Sequence, residues 1–182
     1  MPGPRPRPRL TLAALAATLA LAPPPARAEA EYQVKAAILY NIARFVDWPG
    51  GGRPTVTLCI LGADPFGPAI DSLVGHPVGQ GQLEVRRVTH ASDLRACQML
   101  FIAGSEADHL KADLAQVAHA PVLTVADTAG FAQAGVVVNL YLEQNRVRFE
   151  INIDAAQRSH LPISSQLLKL ARITHDRTPA DG

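Results

Sequence analysis

The sequence predicts an α/β fold, a three-layer α/β/α sandwich on a mostly parallel sheet with one antiparallel edge hairpin. Three observations carry this. Short apolar strands alternate with helical segments, which implies βαβ units. Several strands, TVTLCIL and MLFIAG among them, are apolar on both faces, as central strands covered on both sides are. Late in the chain two strand-like runs are separated only by Glu143-Gln144-Asn145, close enough to pair as a hairpin.

The elements follow in order. A helix is expected over 34–48, where Val34, Ile38, Ile42, Phe45 and Val46 recur at three- and four-residue spacing. Lys35, Asn41, Arg44 and Asp47 fall off that stripe, and Pro49 with the Gly50-Gly51-Gly52 run ends it. The breadth of its apolar arc fits burial between layers or a homodimer face. A strand over 55–61 breaks at Gly62, Asp64-Pro65 and Gly67, with Asp64 as a cap. A helix over 66–74 leads to a strand over 83–88, and a further strand spans 99–104. Ser105, three residues before Asp108, reads as a capping start for a helix over 106–118. A strand over 121–127 and a helical turn over 128–133 follow. The hairpin strands cover 136–142 and 146–153, and a last helix runs over 164–173.

The N-terminus reads as an export signal. Arg5, Arg7 and Arg9 precede thirteen residues, Leu10 to Ala22, that are apolar apart from two Thr. Ala26-Arg27-Ala28 is an A-x-A cleavage pattern, and thirteen residues fall short of the roughly 20 that span a bilayer. The expected organisation is a signal peptide over 1–28, one domain over 29–173 and a flexible tail over 174–182. The whole chain has a formal charge of +1; without Arg5, Arg7, Arg9 and Arg27 it holds 13 basic and 16 acidic residues, or −3. A mildly acidic domain with no basic cluster is a poor nucleic-acid binder.

Catalytic and metal chemistry find little support. Gly62 to Gly67 is neither G-x-G-x-x-G nor a P-loop, and Pro65 removes an N–H that a phosphate would need. The histidines form no H-x-H, H-E-x-x-H or i,i+4 pair, and Cys59 and Cys97 are not in a C-x-x-C, so no metal site is expected. Ser105 lacks a G-x-S-x-G elbow. No cofactor is implied. A thiol enzyme would rest on Cys59 alone. In an exported chain two cysteines are instead a disulfide pair by default. Register opposes the bond, because strands with level starts set Cys59 and Cys97 several residues out of step.

Surface binding remains. Arg148, Glu150 and Asn152 alternate with Val147, Phe149, Ile151 and Ile153, so one face of an edge strand is polar and open to docking or to an ion pair. Trp48 is the only Trp, with core packing favoured over a surface anchor. A small-molecule sensor would instead use the crevice at the strand carboxyl ends, where Asp64, Ser105 and Asp127 fall.

The runs YQVKAAILYNIARFVDWP, VTLCILGADPFG, CQMLFIAGS, PVLTVADTAGFAQAGVVVNL and RVRFEINIDAAQRSHLPISSQLLKLARI together resemble the YfiR-like periplasmic family, from Tyr32 to Ile173. The resemblance implies a periplasmic regulator and not an enzyme. It implies repression of an inner-membrane diguanylate cyclase, through binding of that protein's periplasmic sensor domain, with relief by an outer-membrane lipoprotein. Cyclic di-GMP, biofilm and motility would then be the outputs. With the exposed-edge reading it nominates Trp48, Arg148, Glu150, Asn152, Arg158, Ser164 and Ser165 as partner-binding residues. Some relatives carry a second cysteine pair near the final hairpin; Val138 to Ile153 has none here.

Overall fold

The structure is a computed structural model that describes residues 25–49, 54–89 and 91–177. The Arg-rich and apolar parts of the expected signal peptide, Gly50 to Gly52, His90 and the last five residues of the expected tail lie outside these.

An eight-stranded sheet organises the domain. The strands are β1 (Thr55–Leu61), β2 (Pro77–Val78), β3 (Gly81–Val88), β4 (Met99–Ile102), β5 (Leu123–Ala126), β6 (Val138–Glu143), β7 (Arg146–Asn152) and β8 (Arg172–Thr174). Their spatial order is β2-β3-β1-β4-β5-β6-β7-β8. Pairs β1–β3, β1–β4, β4–β5, β5–β6 and β7–β8 are parallel; β2–β3 and β6–β7 are antiparallel. The helices are α1 (Pro25–Arg44), α2 (Pro68–Asp71), α3 (Leu110–Gln116), α4 (Ile153–Arg158) and α5 (Ser165–Leu170).

Side-chain alternation along β1 and β4 divides the core. Val56, Leu58, Ile60, Met99 and Phe101 join Leu39 and Ile42 of α1 on one face. Cys59, Leu61, Leu100 and Ile102 join Leu94, Cys97 and Leu110 on the other. That second core takes no residue from β6, β7 or β8. Among the described residues the sandwich is therefore three-layered over its centre and loses its third layer beyond β5.

Three expectations are corrected. The first helix begins at Pro25 and ends at Arg44, not at 34 and 48. Its first turns, built from the good helix formers Ala, Arg and Glu, are mostly exposed, so no apolar stripe marks them. At its end Trp48 donates its indole N–H to the Ala43 carbonyl (2.8 Å), and Val46 leaves the helix to bridge Ile163. Ser105 does not cap a helix. Its hydroxyl accepts the Ala63 N–H (2.9 Å), a 3-10 turn spans Gly104–Glu106, and α3 starts only at Leu110.

The third correction concerns the C-terminus. The final helix stops at Leu170, and Arg172–Thr174 pairs in parallel with β7, so the β6–β7 hairpin is not the sheet edge. The expected tail begins inside β8. Residues 175–177 are also held: His175 faces Asp154 (3.2 Å), Asp176 accepts from Asn152 (2.7 Å), and the Arg177 N–H donates to Gln133 (2.9 Å). The hairpin itself closes as expected. Glu143 pairs with Arg146, and Gln144 and Asn145 have φ of 48° and 61°, the positive values a two-residue loop requires.

Among the described residues two buried side-chain oxygens lack a hydrogen-bond partner, Asn139 Oδ1 and Asp113 Oδ2. Asp113, on α3, is 8% exposed. Burial pushes its carboxyl above the ordinary value, and the Glu106 charge adds to this. A folded-state value above the unfolded one gives stability that is present in acid and lost as pH rises. Asp113→Ala is expected to raise stability by about 1 kcal/mol at neutral pH, with the gain shrinking in mild acid. Urea midpoints at the two pH values check this. An equal gain at both would trace it to helix propensity instead.

Candidate docking surface

Beyond β5 the sheet face carries Tyr141 and Glu143 from β6, Arg148 and Glu150 from β7, and Arg172 from β8. Register places Tyr141 opposite Arg148 and Glu150 opposite Arg172. Arg148 is exposed and pairs with Glu143 (2.7 Å). Arg172 lies over the Tyr141 ring at 4.2 Å and donates to Glu150 from Nη2 (2.7 Å) and Nε (3.2 Å). These bonds hold the Arg172 guanidinium above its ordinary range. The face is an array of guanidinium, carboxylate and phenol groups, and among the described residues no helix lies across it.

The expected exposed trio is thus corrected in two of its members. Glu150 is 3% exposed, covered by Arg172 and hydrogen-bonded to Asn139 (3.3 Å). Asn152 is fully buried and acts as a junction. Its Oδ1 caps α4 by accepting the Ala155 N–H (3.0 Å), while its Nδ2 donates to the Ala132 carbonyl (2.6 Å) and to Asp176. Alternation placed both side chains on the right face, but the added strand β8 and the residues after it cover them.

The other nominated residues gather elsewhere. Trp48, Ser164 and Ser165 lie around the Val46–Ile163 bridge, where the Ser164 N–H donates to the Phe45 carbonyl (3.3 Å). The Ser164 hydroxyl caps α5 by accepting the Leu167 N–H (3.2 Å), and Trp48 packs on the first core. Arg158, at the end of α4, grips Asp176 with both terminal nitrogens (2.5 and 3.1 Å), which draws the Asp176 carboxyl below its ordinary value. Sequence reasoning missed Tyr141, Arg172 and Asp176. Their roles come from register across β6, β7 and β8, and no local motif announces them.

The crevice residues are engaged internally. Asp64 accepts the Phe66 N–H (2.7 Å) and pairs with Arg87 (2.7 Å). Asp127 binds Lys35 (2.7 Å) and Tyr32 (3.0 Å). A Cβ on Gly62 would lie 2.4 Å from the Ser105 Oγ and 2.6 Å from a Glu106 oxygen, so this strand mouth is filled.

The expected disulfide is present in the structure: Cys59 and Cys97 are bonded, with Cα atoms 5.8 Å apart. The register objection fails because Cys97 is not in the strand. Leu58 pairs with Met99, and Cys97 sits before β4 at the end of a 3-10 turn, Ala91–Ala96, in the core beneath Cys59. Among the described residues no group of three or more His, Cys, Asp or Glu is placed to hold a metal, and no helix is long and apolar enough to cross a membrane.

Strand order, two-sided core and polar terminal face define the class: a doubly wound α/β domain with a polar sheet face at one end. Within that class the chain belongs to the YfiR/HmsC-like family, whose model matches residues 32–172. The family is periplasmic, non-catalytic in general, and regulates cyclic di-GMP signalling. Solved structures agree on the fold alone. The ABC domain in complex with L-Trp from Streptococcus pneumonia is similar at a TM-score of 0.53 and 9% identity, over 79% of this chain and 60% of that one. A conserved domain protein from Vibrio cholerae is similar at 0.51 and 10%, with the same coverages of 79% and 60%. This chain therefore spans less than two thirds of the length of either.

Proposed function

We propose that this protein is exported to the periplasm by a signal peptide over residues 1–28 and represses a membrane-bound diguanylate cyclase by binding its periplasmic sensor domain, without catalysis. An outer-membrane lipoprotein would relieve the repression by sequestering it. Family membership supports the signalling context. The observation that carries the docking mode is the sheet face beyond β5, where Arg148, Tyr141, Glu143 and Arg172 stand together with no layer over them among the described residues. Charged, oriented groups of this kind set partner choice and association rate. The short edge strand β8 lies alongside, with Ile173 46% exposed and Leu170 69% exposed just before it. The sensor reading that used Asp64, Ser105 and Asp127 is the weaker one, since each of these is bonded within the domain.

Affinity capture from detergent-solubilised membranes tests the proposal. The wild-type protein should retain a diguanylate cyclase, and Arg148→Glu should bind it about tenfold more weakly, roughly 1.4 kcal/mol. The melting temperature should hardly move, because an exposed pair such as Arg148–Glu143 contributes little to stability. A fall of many degrees would make Arg148 structural. Unchanged cyclic di-GMP on deletion of the gene would count against repression itself.

A further inference from the structure

A second site lies at the opposite end of the strands from the filled crevice. Two adjoining cavities, about 250 and 650 Å³, share Lys111, Ala134 and Arg158. The inner one is a slot beneath α3, walled by Leu114, Val117, Val122 and Val137. Its cause is in the sheet. β5 and β6 pair over only two positions, Val125 with Val138 and Ala126 with Asn139. Below them the Val137 N–H donates to the Thr124 hydroxyl (2.9 Å), and the strands part. Gly135 has φ of +111°, and a Cβ there would meet Leu114 at 3.5 Å and Arg158 at 3.7 Å. Only glycine adopts that backbone readily, so the slot stays open.

The mouth is basic. Among the described residues Lys111, Arg158 and Arg177 line the two cavities against one carboxylate, Asp176, which Arg158 and Asn152 already bind. Among the described residues neither Lys111 nor Arg177 has an ion pair. The mouth is thus locally +2 in a domain that is −3 without its first 28 residues. Among the described residues no carboxylate lines the inner slot. Two unpaired cations at the entrance of an apolar cavity match an anion that carries an apolar body.

We infer that this cavity binds a small organic carboxylate, its apolar part under α3 and its carboxylate between Lys111 and Arg177. The inference goes beyond the docking reading and stands whether or not a cyclase is bound.

Titration of the ¹⁵N-labelled protein with hexanoate, and with 1-hexanol as the neutral counterpart, tests it. Hexanoate should shift the amides of Leu114 and Gly135 saturably, and 1-hexanol should bind at least about tenfold more weakly. Lys111→Ala and Arg177→Ala should each weaken hexanoate about fivefold with unchanged melting temperature. Equal binding of the alcohol, shifts centred elsewhere, unaltered affinity in both variants, or no saturable shift up to about 10 mM would overturn the site.

Discussion

Replacing Cys59 and Cys97 together by Ala is expected to lower the unfolding free energy by about 4 kcal/mol. The bond joins residues 38 apart in sequence, and closing a loop of that length removes entropy from the unfolded chain. Its position makes the effect global. Cys59 lies in β1, the strand between β3 and β4, and is 1% exposed, while Cys97 is 2% exposed. The bond clamps the 3-10 crossover Ala91–Ala96 onto that strand, where the Gln98 N–H also donates to the Thr57 carbonyl (3.0 Å). Against a usual total of 5–15 kcal/mol, such a loss is large. Urea midpoints of the native protein and the double variant measure it. Intact mass with and without reductant establishes that the thiols are joined. A loss below about 1 kcal/mol would mean the unfolded chain is already compact there, and the chain-entropy account would fail.

The disulfide also shows which features are legible in sequence. Export and an even cysteine count point to the bond, while strand register argues against it. Register holds only for residues in the sheet plane, and Cys97 approaches from below that plane. The same division recurs through the fold. β1 is legible to the residue because Thr55–Leu61 is a buried run bounded by turn residues. β8 is not, since three residues cannot display a period and LLKLARI reads as one continuous helix. Without β8 the expected polar face takes in residues that the structure covers. Alternation put Arg148, Glu150 and Asn152 on one face, but only the added strand reveals that Glu150 and Asn152 are covered and that Arg172 joins Arg148 outside. Arg158 was legible as a polar residue of the C-terminal signature, and its grip on Asp176 was not, because Asp176 fell in the supposed tail.

Lys35→Met is expected to cost about 3–5 kcal/mol, although Lys35 falls off the apolar stripe of its helix. It is 5% exposed. Its ammonium lies 2.7 Å from Asp127 and 2.6 Å from Glu31, and 4.4 Å from the centre of the Tyr32 ring. Burial opposes its charge, yet the hydrogen bonds to Asp127 and Glu31 outweigh that and hold the ammonium above its ordinary value. Asp127 follows β5, so these contacts fasten α1 over the carboxyl end of that strand. Tyr32 extends the fastening by packing edge-on against Phe66 at 5.4 Å, and Phe66 meets Phe101 at 4.7 Å. Removing Lys35 leaves the Asp127 carboxylate, 8% exposed, buried with the Tyr32 hydroxyl as its one side-chain partner among the described residues. The cost is that of an uncompensated charge, more than of a lost attraction. Lys35→Met with Asp127→Asn should therefore recover much of the loss, a coupling that a double-mutant cycle reads directly. Amide exchange in α1 should speed up in the single variant and return toward normal in the double. A single-variant loss below about 1 kcal/mol would mean that water reaches Asp127 and that α1 is held by its apolar face alone. The sign with pH follows from the raised Lys35 value. Its stabilisation is full below the unfolded lysine value and fades only as strongly alkaline pH strips the ammonium.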